Sequence, residues 1–201
     1  IEPDKRNHLV LKKNFNELSC KKEIYFAALS NNNAEAYIKR ETKTNLSKVE
    51  IPKDEESEHE IINTINFDYL INEIGSENLK KFKLIRMDIE GHEVEVLENL
   101  TLHLDKFLNL DILFEVHSEY YNIKKFRNIL KKFETTHIFQ TVISAGGISQ
   151  KIFIDKGLIS KRKIISDGYE RHIYKNTDFQ KGIDLVLNIP RLLRYVYLKR
   201  I

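Results

Sequence analysis

A chain of 201 residues with 41% hydrophobic content is long enough to bury one sizeable core. Its 33 basic and 30 acidic residues nearly cancel at a formal +3, so the charge does not suggest a nucleic acid or other polyanion as partner. The single cysteine, Cys20, excludes an internal disulfide and a Cys-built zinc site, and suits a reducing, cytoplasmic compartment. No long uncharged apolar run is present to span a membrane, and the first residues lack a signal-peptide pattern. The chain opens on Ile1 and its only methionine is Met87, which reads as a piece of a longer chain.

In chain order, Ile1-Glu2 reads as the tail of a strand. Pro3 and Asp4 then open a helix with Leu11, Phe15 and Leu18 on one face. An acid in the place of Glu2 either accepts hydrogen bonds from ribose hydroxyls or stands in solvent at a chain end. Ile24 to Leu29 predicts a strand with small residues at Ala27 and Ala28, followed by a turn through Ser30-Asn31-Asn32-Asn33. Ala34–Arg40 continues as a strand. Glu41–Glu60, charged throughout, predicts a mobile surface loop, with a lid as one role and His59 as a solvated residue. Ile61–Ile65 predicts an edge-type strand. Asn66 caps a helix through Phe67, Leu70, Ile71 and Ile74 that Gly75 ends.

Leu84–Met87 is a short apolar run and predicts a buried strand that stops at Asp88. Gly91 supplies a turn, and Val94, Leu97 and Leu100 recur as one helix face. Asp88, Glu90, His92 and Glu93 therefore stand where a strand feeds a helix, and in open α/β sheets that carboxyl end binds ligands. Acids in a first helical turn also suit the macrodipole, which accounts for Glu93 and Glu95 without further purpose. A carboxylate ending a buried strand needs a partner or a cleft, which singles out Asp88. Asp88, Glu90 and Glu93 also suit a hard divalent cation, but the favoured expectation is no metal.

Leu110–Val116 predicts the next strand, and Glu115 and His117 share a face by its two-residue period. Tyr120–Phe133 predicts an amphipathic helix and Thr136–Ile143 a strand. Ala145-Gly146-Gly147 turns, Lys151–Ile154 is a short apolar segment, and Tyr169–Tyr174 reads as the last strand. Ile183–Ile201 is apolar-rich, interrupted by Pro190, with Arg191, Arg194, Lys199 and Arg200 and no acid after Asp184. It predicts a basic amphipathic helix, packed on the domain or on a partner subunit, or in peripheral contact with an anionic membrane.

Asp88-Ile89-Glu90-Gly91-His92-Glu93, followed by Val94-Glu95-Val96-Leu97-Glu98-Asn99-Leu100, resembles the signature of the FkbM family of S-adenosylmethionine-dependent methyltransferases. Ile1-Glu2-Pro3-Asp4 with Asn7, Ala28-Leu29-Ser30, and Asp111 to His117 resemble that family's second, third and fifth strand ends in the same order. The resemblance implies an α/β, Rossmann-like class I methyltransferase domain over 1–180, with a mostly parallel sheet and an antiparallel last strand, and 181–201 as a basic tail. It further implies that the first strand and its glycine-rich turn lie upstream of Ile1. A sheet lacking that central strand is expected to fold poorly or aggregate if made alone. For the cofactor, S-adenosylmethionine, the resemblance implies Glu2, Ala28, Leu29 and Asp88.

The implied reaction is O-methylation of a sugar, glycan or polyketide-like hydroxyl. Such a transfer aligns two atoms and removes a proton. His117 is the natural base because imidazole titrates near neutrality. Glu115 orients it or holds a substrate hydroxyl, and Asp88 either acts as base or faces the cofactor's cationic end. A non-catalytic partner protein of the same fold and a nicotinamide-dependent oxidoreductase remain as alternatives.

Overall fold

The computed structural model describes residues 1–20, 22–39, 48–50, 59–187 and 192–201. Most of the Glu41–Glu60 stretch, including the Asp54–Glu58 acids, and Pro190 and Arg191 lie outside the described residues, as does the side chain of His59. The chain divides into two compact units, Ile1–Gly75 and Ser76–Ile201.

In the first unit, Asp4 caps Lys5–Asn16 (α1), accepting from the Arg6 and Asn7 amides. Burial alone would raise the Asp4 pKa, but the Arg6 side chain and these two amides outweigh it and hold the carboxyl low. Only Ala28–Leu29 (β1) of the predicted 24–29 strand is regular. Glu35–Lys39 (β2) follows, and Lys48–Glu50 (β3) pairs antiparallel with it, so part of the expected surface loop is a strand. His59–Ile65 (β4) runs parallel to β1 and antiparallel to β2 in the order β1-β4-β2-β3. That corrects its reading as an edge strand: Ile62 and Thr64 are buried because β4 carries ladders on both sides. Ala28, Ile38 and Ile62 form the core of this sheet. Phe67–Ile74 (α2) has the predicted caps, Asn66 accepting from the Tyr69 amide and Gly75 closing it.

The second unit begins with the short helix Ser76–Leu79 (α3), followed by Leu84–Met87 (β5) and Glu93–Leu100 (α4). Asp111–Glu115 (β6) pairs parallel with β5 in the register Met87↔Phe114. β5 is an edge of the described sheet and is half-exposed, Leu84 at 49%, which corrects its reading as fully buried. Ile123–Lys131 (α5) buries Phe126, Ile129 and Leu130, and His137–Ser144 (β7) buries Phe139 and Val142.

Lys151–Ile154 lies in a helix, Gln150–Asp155 (α6), capped by Ser149. Arg162–Ser166 (β8) and Tyr169–Thr177 (β9) form an antiparallel hairpin. Phe179–Leu187 (α7) packs closely on β7: a Cβ on Gly182 would stand 2.5 Å from the Phe139 ring.

Leu193–Arg200 (β10) ends the unit and overturns the expected helical tail. It lies between β6 and β7, antiparallel to both, in the order β5-β6-β10-β7-β9-β8. Its Leu193, Val196 and Leu198 are at most 2% exposed. Asp111 fastens it, accepting from the Tyr197 hydroxyl and from the Arg200 amide at 2.9 Å. The last strand is therefore β10 and not Tyr169–Tyr174, and residues 181–201 are not a separate tail.

Both units are α/β with mixed sheets. Among the described strands only β1–β4 and β5–β6 run parallel, which corrects the expectation of one mostly parallel sheet. The β8–β9 hairpin and the antiparallel seating of β10 are the cause. No helix among the described residues is long and apolar enough to cross a membrane.

Candidate active site

Parallel register decides which side chains meet. With Met87 opposite Phe114, Asp88 leaves β5 beside Glu115 at the end of β6, and His117 follows two residues later. The loop between β5 and α4 then doubles back through two left-handed residues. Glu90 has φ +53°, an uncommon value for a side-chain-bearing residue, and Gly91 has φ +102°. A Cβ at Gly91 would lie 2.7 Å from the Tyr120 Cβ, so both conformation and space demand glycine there. This turn brings the Asp88, Glu90 and His117 donor atoms within 4.8 Å of one another.

His117 is buried and surrounded by carboxylates. Its Nδ1 is 3.0 Å from Glu93 Oε1, and its Nε2 is 3.5 Å from Glu90 Oε2 and 3.6 Å from Glu115 Oε1. Burial alone would lower its pKa. The Glu93 hydrogen bond and the charges of Glu93, Glu90 and Glu115 outweigh burial and raise it above the ordinary imidazole range. Glu115 is 1% exposed, and its pKa is raised, first by burial and then by the charge of Asp88. Asp88 stands about one-third exposed, 3.6 Å from the Arg86 guanidinium.

The three expected catalytic residues are thus neighbours. Of the three carboxylates Asp88, Glu90 and Glu93, Glu93 stands apart: it is fully buried and turned to the far side of the imidazole, and the donor atoms that lie together are those of Asp88, Glu90 and His117. His92 turns away to within 3.9 Å of Glu95.

Arg194, placed in the tail from sequence, is part of this site. Because β10 runs antiparallel to β6 with Tyr195 opposite Glu115, its first residues reach the carboxyl end of β6. The Arg194 guanidinium pairs with Glu115 Oε1, while Glu115 Oε2 is buried without a hydrogen-bond partner among the described residues. Removing one partner of a buried ion pair costs about 3–5 kcal/mol. Arg194 is 40% exposed, so Arg194→Met is expected to cost less, about 2 kcal/mol, in chemical denaturation. Adding Glu115→Gln should recover most of that loss.

The expected cofactor residues Glu2, Ala28 and Leu29 belong to the first unit. The Glu2 amide donates to the Tyr25 carbonyl at 3.1 Å, and its Oε1 accepts from the Asp4 amide at 2.8 Å, which fixes the carboxylate just before α1. Ala28 is buried and Leu29 half-buried in β1.

Comparison with family models gives the class, a methyltransferase. The match, over residues 1–146, is to the methyltransferase FkbM domain, and the chain belongs to that family. Neither the curated proteins nor the solved structures contain a match to it.

Proposed function

We propose that the chain is an S-adenosylmethionine-dependent O-methyltransferase domain of the class I, Rossmann-like type, acting on a hydroxyl of a sugar, glycan or polyketide-like acceptor. The observation that carries this reading is the convergence of Asp88, Glu115 and His117 at the carboxyl ends of two adjacent parallel strands in an FkbM-family chain. Glu2, Ala28 and Leu29 are the residues of the first unit that would hold the cofactor, which when bound supplies an electrophilic methyl group.

The chain's own residues do the rest. Glu115, held by Arg194, accepts a hydrogen bond from the acceptor and orients it, and His117 takes the hydroxyl proton at Nε2. Asp88 places a negative charge on the same rim, where it complements a cation. The single cysteine, Cys20, exposed and free, fits work in a reducing, cytoplasmic compartment.

Calorimetric titration with S-adenosylmethionine, S-adenosylhomocysteine and NAD tests the reading. Binding of the first two supports it. Binding of NAD alone would make the chain an oxidoreductase, and binding of none would make it a non-catalytic member of the fold.

A further inference from the structure

Glu93 is the most completely buried carboxylate near the site, at 0% exposure. A charge in that position persists only with partners on both oxygens. Oε1 accepts from the Ile89 amide at 3.2 Å and meets His117 Nδ1 at 3.0 Å, and Oε2 accepts from the Tyr121 hydroxyl at 3.2 Å. The same Tyr121 oxygen accepts the His117 amide at 2.8 Å. The phenol therefore ties the carboxylate to the backbone of the residue whose ring it holds. A carboxylate with this set of donors is an acceptor toward Nδ1, so Nδ1 carries the proton and Nε2 the lone pair. Nε2 faces the Glu90 and Glu115 side, where Asp88 also stands.

We propose that Glu93 is a positioning residue for His117, fixing the Nδ1–H tautomer and balancing the charge of the imidazolium. The inference rests on the reading of His117 as the proton acceptor. As the acceptor oxygen would form its bond to the methyl carbon, the carbon–sulfur bond of the sulfonium donor would break with its electron pair passing to sulfur, which leaves as a neutral thioether. The O–H bond breaks, its pair stays on oxygen, and the proton bonds to Nε2. The positive ring that results lies against the buried Glu93 carboxylate. Tyr121 acts one step further out, holding Glu93 in place.

Nitrogen-15 NMR titration of His117 in the full chain, with Glu93→Gln, reads this directly. In Glu93→Gln, His117 should titrate at lower pH than in the wild type. Methyl transfer from S-adenosylmethionine to a panel of methyl glycosides should fall about 10²-fold near neutral pH, with donor affinity unchanged. Glu93→Asp, which restores the charge, should recover part of both effects. An unaltered His117 titration in Glu93→Gln overturns the proposal. If Glu93→Gln does not fold, Tyr121→Phe serves: it keeps the carboxylate but removes a donor to it, so His117 should titrate at higher pH, and no change overturns the proposal. A shifted titration with undiminished transfer leaves the coupling standing and overturns His117 as the base, which separates the two failures.

Discussion

His117→Ala is expected to lower the rate of methyl transfer about 10²–10⁴-fold, the span that a positioned general base contributes. At a pH where the ring is neutral, the binding constant for S-adenosylmethionine should stay near the wild-type value, because in the proposed role the lost group accepts a proton and does not hold the donor. Rate and affinity measured separately on one preparation distinguish this from damage to the fold.

The pH profile carries a second signature of the same residue. Only the neutral ring can accept a proton, so the rate should rise with pH along a limb lying above the ordinary imidazole value of about 6.5. The direction follows from the raised pKa, which burial opposes and the Glu93 hydrogen bond and neighbouring carboxylates enforce. The linked effect on stability has the opposite slope. A histidine whose folded pKa is raised stabilises the fold fully below the unfolded value and loses that contribution as pH rises through the folded one. The stability lost on His117→Ala should therefore be larger at pH 5 than at pH 9.

Ending the chain after Leu192 should abolish cooperative unfolding of the second unit. The cut removes an interior strand and strips the ladders from β6 and β7 together. It also deletes Leu193, Val196 and Leu198, each at most 2% exposed. At about 1.5–3 kcal/mol per buried side chain, the apolar loss alone approaches the whole stability of a typical domain, about 5–15 kcal/mol. Calorimetry is the check, and an unchanged transition in the shortened chain would restore the picture of a peripheral tail.

That strand was misread from sequence for a physical reason. Leu193-Arg194-Tyr195-Val196-Tyr197-Leu198 would alternate as a strand should, but irregularities between Leu193 and Tyr195 and between Tyr197 and Leu198 break the two-residue period. With Arg194, Lys199 and Arg200 interspersed, the interrupted pattern imitates a basic helix, and Arg194 was lost from the site with it. Lys151–Ile154 carries no assignment from sequence for a different reason: a short apolar run has no period of its own, and only the Ser149 cap marks it as a helix start.

The centre of the site was legible because two rules that need no tertiary knowledge act together. Parallel strands place their carboxyl ends at one edge, and residues two apart share a face, which joins Asp88 to Glu115 and His117. Glu93 was assigned to the helix dipole because any first-turn acid satisfies that role. Its distinguishing feature, total burial against an imidazole, arises from the left-handed turn at Glu90-Gly91, and its effect on Glu93 emerges only in three dimensions.

Histidine NMR with two related ligands tests the convergence most directly. S-adenosylmethionine carries a sulfonium charge and S-adenosylhomocysteine does not, so a cation near Nε2 should oppose protonation of His117 with the first ligand only. The account predicts that S-adenosylmethionine moves the His117 titration to lower pH than S-adenosylhomocysteine does, while His137 does not respond. Identical His117 titrations with both ligands bound would contradict it.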